Sequence, residues 1–234
     1  MGLIDFIFPK YCVNCKAVGS YLCADCFSRL SFDTENICAE CSKPAFLGIT
    51  HPKCKKRTSL EGTFSAIVLN SVARKLVYQF KYKPYLTDLR KIISDLVFES
   101  MSQNEEFQRL IEKEKNLILV PIPLFNSKEK RRGYNQSEII AKEIGKRFKL
   151  PVVKLLTRVR DTGSQVKLDR EKRRENIKNA FKLNPKLQIS NLKHKNILLV
   201  DDVLTTGATV SEAGKILKKA RASRVWALSF AKEK

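Results

Sequence analysis

A chain of 234 residues, 43% of them hydrophobic, holds one full domain plus a small module and is too apolar for global disorder. Its net charge of +21, from 45 Lys+Arg against 24 Asp+Glu, favours phosphate-rich partners such as nucleic acid, nucleotides or an anionic surface. No apolar run approaches the roughly 20 residues of a membrane span, and the apolar start carries Asp5 and is cut by Pro9. Residues 1–8 therefore read as a short packing helix and not a signal peptide, which makes the cytoplasm the expected location.

All seven cysteines fall between Cys12 and Cys54. They form the pairs Cys12-x2-Cys15, Cys23-x2-Cys26 and Cys38-x2-Cys41, followed by His51-x2-Cys54. Close pairs in a chain without export signals point to metal instead of disulfides. Each pair presents two ligands to one ion, and Zn²⁺ takes four in a tetrahedron, so the eight ligands serve two sites. Sequential pairing is simplest: Cys12, Cys15, Cys23 and Cys26 at one ion, Cys38, Cys41, His51 and Cys54 at the other. The spacing leaves an interleaved pairing open. Residues 1–58 contain few large apolar side chains, so a structural metal staple suits them, and a full ligand set leaves no open catalytic position.

Past the cysteines, residues 66–69 form a short strand, followed by two helices. One buries Val72, Leu76, Val77 and Phe80, the other Leu86, Leu89, Ile92, Leu96 and Val97. Residues 102–116 read as a helix end and linker. Strand and helix then alternate: a strand at 117–120, a helix at 135–148 burying Ile139, Ile140, Ile144 and Phe148, and strands at 152–156 and 197–200. A helix from Thr209 to about residue 220 and a strand at 225–230 complete the series. Residues 158–179 read as a long charged loop, of the kind that is usually functional or mobile. The alternation predicts an α/β domain at 59–234 whose mostly parallel sheet is covered on both faces. Ligands of such sheets sit beyond the carboxyl ends of the strands.

One such end carries Asp201-Asp202-Val203-Leu204-Thr205-Thr206-Gly207-Ala208-Thr209 and opens a helix. A helix start offers unpaired N–H groups and the positive end of a dipole, which suits a phosphate dianion. Thr205, Thr206 and Thr209 add hydroxyl donors, and Gly207 admits close approach or a positive φ. Asp201 and Asp202 can accept from vicinal sugar hydroxyls. A single acid and threonine would be an ordinary helix cap; two acids, three threonines and a glycine in nine residues point to a phosphorylated ribose. The G-x-x-x-x-G-K-[ST] and G-x-G-x-x-G motifs occur nowhere.

This run resembles the 5-phosphoribosyl-1-pyrophosphate (PRPP) signature of type I phosphoribosyltransferases. The resemblance implies that the two acids, also the candidate catalytic pair, contact the ribose hydroxyls, while residues 205–209 hold the 5-phosphate, with Mg²⁺ accompanying the ligand. Val120-Pro-Ile-Pro-Leu124, Arg131-Arg-Gly-Tyr-Asn-Gln136, the Gln165…Leu168…Arg173…Asn176…Ala180-Phe181 pattern and the paired cysteines are together similar to the ComF competence-protein family. That resemblance covers nearly the whole chain. It places Lys128 to Arg132 near the pyrophosphate and residues 158–180 as a hood over the site. Lys81-Tyr82 matches the family's basic loop, although Lys83-Pro84 replaces its usual glycine; the last pair has His51 in place of a cysteine.

Residues 126–178 hold 17 Lys/Arg against 7 Asp/Glu, a surplus of ten that locates much of the charge. Arginine pairs with pyrophosphate in bidentate fashion, and Arg131 and Arg132 are the candidate contacts, whereas Lys128, Lys130 and Arg174 individually suit a solvated face. Three functions fit: transfer of ribose 5-phosphate from PRPP to a base or amine, single-stranded DNA handling with PRPP as a ligand, and docking of another competence protein through the zinc module. No base-recognition run is visible near the hood, so DNA handling is the expectation, with PRPP and single-stranded DNA as partners.

Overall fold

The computed structural model describes residues 9–83, 86–162, 170–187 and 192–233. The packing helix expected at residues 1–8, Pro84, and the Gln165 and Leu168 positions of the hood pattern lie outside these residues. The amino-terminal region is turn-rich, with one short helix, α1 (Ala24–Phe27), and single 3₁₀ turns at Phe46–Gly48 and Pro52–Cys54.

Then follow β1 (Gly62–Val68), α2 (Ser71–Tyr82), α3 (Thr87–Ser102), α4 (Glu105–Lys113), β2 (Leu117–Pro121), α5 (Asn126–Arg132) and α6 (Gln136–Phe148). The chain continues through β3 (Leu156–Arg158), α7 (Arg170–Ile177), β4 (Phe181–Leu183), β5 (Asn196–Leu204), α8 (Ala208–Lys219) and β6 (Arg224–Lys232). Strands β1, β6, β5 and β2 lie in that order in one parallel sheet. Side chains alternate across a strand, so β5 feeds Leu198 and Val200 into one core cluster and Ile197 and Leu199 into the other. The first cluster contains Leu76, Phe80, Ile93, Phe107 and Ile140 from the helices on that face; the second contains Val210, Ala213 and Leu217 of α8. Each face is covered, as the uninterrupted apolar strands require. Asparagines cap three helices: Asn70, Asn104 and Asn135 accept from the backbone N–H of Ala73, Phe107 and Ser137 at 2.9–3.0 Å.

Three sequence expectations change. Residues 102–116 contain α4, whose Phe107 and Leu110 are buried one turn apart. Residues 158–179 contain α7. Residues 152–156 do not form one strand: Val152 bridges β2 at Leu119, the Leu155 N–H then turns back to Val153, and Leu156 opens β3 in an antiparallel pair with β4. A single bridge at the sheet edge holds this segment, so its apolar, β-branched composition does not become a ladder. Among the described residues no helix is long and apolar enough to cross a membrane.

Candidate ribose-phosphate site and metal centres

The carboxyl end of β5 supplies Asp201 and Asp202, and the loop after it turns at Gly207 (φ +76°), which caps the amino end of α8. A cavity of about 940 Å³ lies over this end of the sheet. From the β5–α8 segment, Asp201, Asp202, Thr205, Gly207, Ala208 and Thr209 line it; Lys81 of α2 and Arg131 and Arg132 of α5 line it too. Thr206 is the one sequence-named loop residue outside the lining. Its Oγ1 is buried with no hydrogen-bond partner among the described residues.

The two acids have different surroundings. Asp202 pairs with Lys81 at 2.9 Å. Asp201 accepts from Ser137 Oγ at 3.1 Å and from the Asp202 N–H at 2.8 Å. Burial, reinforced by the negative charge of Asp202, pushes the Asp201 carboxyl up to about 7, against the pull of these hydrogen bonds and of Lys81. A cation arriving between the two carboxylates relieves that repulsion.

The basic wall is organised by side-chain packing. Arg132 donates to Gln136 Oε1 at 3.0 Å and lies 5.1 Å over the Tyr82 ring. The buried Gln136 Nε2, which has no partner among the described residues, and the exposed Arg131 complete this side. Arg158 of β3, a cavity residue the sequence did not single out, stacks 5.5 Å from Phe181; burial holds its guanidinium below its ordinary value, opposed by Asp201 and Asp161. Lys128 is tied to Asp161 at 2.7 Å and to the Thr162 carbonyl, so it anchors the start of the 158–180 segment to α5. Ser137 and Gln136 were reachable from sequence through their place beside the R-R-G-Y-N run at the start of α6.

The metal ligands fall into two groups, Cys12 with Cys15, Cys23 and Cys26, and Cys38 with Cys41, His51 and Cys54, each with its ligand atoms within 4.8 Å of one another. This is the sequential pairing. The two leading knuckles share one backbone turn: the N–H groups of Lys16 and Ser42 return to the carbonyls of Cys12 and Cys38 at 3.0 and 2.7 Å, with φ of 68° and 58° at the turning residue. His51 Nε2 stands 2.9 Å from the Pro44 carbonyl oxygen and must be the N–H donor there, which leaves Nδ1 as a lone-pair ligand, 3.3 Å from Cys41 Sγ. Four thiolates in the first group, and three with one oriented imidazole in the second, fit Zn²⁺.

The second knuckle touches the 205–209 loop directly. Ser42 Oγ donates to the Thr206 carbonyl at 2.7 Å, Ser211 Oγ of α8 donates to Glu40 at 3.0 Å, and Arg174 of α7 donates to the Glu40 carbonyl. A Cβ on Gly207 would stand 2.9 Å from Ala39 Cα. Only glycine allows the two backbones this close, a second demand on Gly207 beyond its positive φ.

Comparison with known proteins agrees with this architecture. Residues 3–57 match the double zinc ribbon domain and residues 108–233 the phosphoribosyl transferase domain. The chain is 27% identical over 233 residues to DNA utilization protein YhgH of Escherichia coli K12, covering 94% of this chain and 96% of that protein. It is 25% identical over 212 residues to competence protein ComFC of Bacillus subtilis, covering 87% and 81%. Competence protein F of Haemophilus influenzae is 34% identical over 116 residues, which span 48% of this chain and half of that protein.

Proposed function

The chain belongs to the phosphoribosyl transferase domain family, as one of its ComF-type members with an amino-terminal double zinc ribbon, and on that premise we propose that it binds PRPP while handling single-stranded DNA during DNA uptake. The observation that carries the ligand is the convergence of Asp201, Asp202 and the 205–209 loop with Lys81, Arg131 and Arg132 on one cavity. The loop N–H groups and threonines take the 5-phosphate, the acids take the ribose hydroxyls, and the cations of α2 and α5 take the pyrophosphate. The acid pair offers hard oxygen donors suited to Mg²⁺, which supplies charge neutralisation of the pyrophosphate when bound. The role in DNA uptake is supported by the names of the relatives and by the basic surplus of residues 126–178. The reading takes residues 1–58 as the ribbon module and 59–234 as the ligand-binding domain. Turnover of PRPP with a base or amine acceptor is the second reading, favoured by cations placed where a leaving pyrophosphate would develop charge.

The test is ligand-induced stabilisation, since a ligand that binds only the folded state raises its melting temperature. PRPP with Mg²⁺ is expected to raise it by several degrees in the parent protein and not at all in Asp201→Asn/Asp202→Asn. A full shift in the double variant would overturn the site.

A further inference from the structure

The apolar face of α2 buries Val72, Ala73, Leu76, Val77 and Phe80. Tyr78 and Tyr82 lie off that face, one turn apart, and are 58% and 49% exposed. Their ring centroids stand 4.9 Å apart at an interplanar angle of 50°, and the Arg132 guanidinium covers one side of Tyr82. Both rings line the cavity that holds Asp201, Asp202 and the phosphate loop, and Lys81, between them in sequence, reaches Asp202. We propose that Tyr78 and Tyr82 form a stacking platform for a nucleobase beside the ribose-phosphate site.

The platform rests on the ribose-phosphate reading for its neighbour, while its ring chemistry stands on its own. The two rings in contact leave a continuous aromatic surface exposed at the cavity. An i,i+4 ring pair gives an isolated helix modest support, but that role does not require the pair to face a cationic cavity. The surroundings select the occupant: exposed ring faces in a cavity also lined by Lys81, Arg131 and Arg132 match a base joined to phosphate, and do not match an apolar peptide or an acyl chain. The other tyrosine near the basic wall is already engaged, since Tyr134 donates to the Phe80 carbonyl and carries Arg90 at 4.4 Å over its ring. Stacking on ring faces is sequence-tolerant, as handling of arbitrary DNA requires. The base can come from a DNA strand or from a free nucleotide; the chemistry is the same.

The test uses the full zinc-loaded chain and two labelled probes of equal length and charge, oligo(dT) and an abasic deoxyribose-phosphate strand. The parent is expected to prefer oligo(dT) by about tenfold or more. Tyr78→Ala/Tyr82→Ala should erase that preference without changing the salt dependence of binding, because no phosphate contact is lost. Tyr78→Phe/Tyr82→Phe should keep it, which separates loss of stacking from loss of fold. Competition by thymidine monophosphate assigns the base to a free nucleotide, and failure to compete assigns it to the strand. Equal binding of both probes by the parent, or an undiminished preference in the double alanine variant, would overturn the platform. Absence of a PRPP–Mg²⁺ melting shift in the parent would instead sink the neighbouring ribose-phosphate reading and leave the probe ratio readable.

Discussion

The two metal knuckles share a backbone turn and nearly the same ligand set, yet they reach the cavity by different routes. The first, built on Cys12, packs Val13, Cys26 and Leu30 into the cluster beneath α2, and its Asn14 carbonyl receives Lys75 of that helix at 3.3 Å. It reaches the site at one remove, through the helix that carries Lys81. The second, built on Cys38, supplies Ala39, Glu40 and Ser42 to the phosphate loop and the start of α8. One metal site thus supports a helix, and the other belongs to the packing of the loop itself. Equal chemistry in the two ribbons does not mean equal consequence.

Removing one metal at a time separates them most strongly. Both sites filled should give close to two zinc ions per chain by elemental analysis. Cys38→Ser/Cys41→Ser is expected to hold one ion and to lose the PRPP–Mg²⁺ melting shift outright, because a folded ribbon (38–54) is what keeps Ser42 and Ala39 on the loop. Cys12→Ser/Cys15→Ser should also hold one ion and melt lower, yet keep most of the shift. Loss of the shift in both variants to the same extent would erase the asymmetry.

Two glycines give the next contrast. Gly207 and Gly133 have nearly the same φ, +76° and +79°, but a Cβ at Gly133 would meet nothing within 4 Å, whereas one at Gly207 would meet the Ala39 backbone. Gly133→Ala should cost about 1–2 kcal/mol from the left-handed backbone alone. Gly207→Ala adds an overpacking penalty of about 1–3 kcal/mol and should weaken PRPP binding as it pushes the second ribbon away. Denaturant titration of the two variants measures the difference, and equal losses would mean that the ribbon yields freely.

Asp201 tests the cavity from inside, independently of either ribbon. Its folded-state value, raised to about 7, exceeds its unfolded one, so the folded chain binds the extra proton. That contribution is fully present below about pH 4 and is lost as pH rises towards 7. Asp201→Asn removes the penalty of a buried charge beside Asp202, so the unliganded variant should melt above the parent at pH 8 and close to it at pH 5, while losing PRPP stabilisation. A lower melting temperature at pH 8 would show that the hydrogen bonds to the carboxylate outweigh the repulsion. The smallest effect is expected from Ser42→Ala, about 1 kcal/mol for one hydrogen bond across the ribbon–loop contact, with a proportionately smaller PRPP shift.

Much of this arrangement is legible in sequence where it is local. The strand, acid pair, threonines and glycine of 197–209 sit within one unit, and each residue type states its own role. Cysteine pairs at a spacing of three state theirs. Helix α4 is hidden because three apolar residues, Phe107, Leu110 and Ile111, stand among charges, and its start depends on Asn104 as a cap. The contact of Ser42 with Thr206 spans 164 residues, and no periodicity encodes it. Tyr78 and Tyr82 carried a signal, two rings at helical spacing off the apolar face, but only the folded chain reveals that they line the cavity of Asp201 and Asp202.

Strand β6 has a further consequence for the order of assembly. It lies between β1 and β5, so the sheet stays divided until residues 224–232 arrive, and Ser65 meets Ser229 only then. The ribbons close over short loops and can fold early, whereas β1 waits, with its parallel edge unpaired, for a strand made more than 150 residues later. During synthesis that edge is a template for mispairing, and the cavity at Asp201 and Asp202 is among the last parts of the molecule to form.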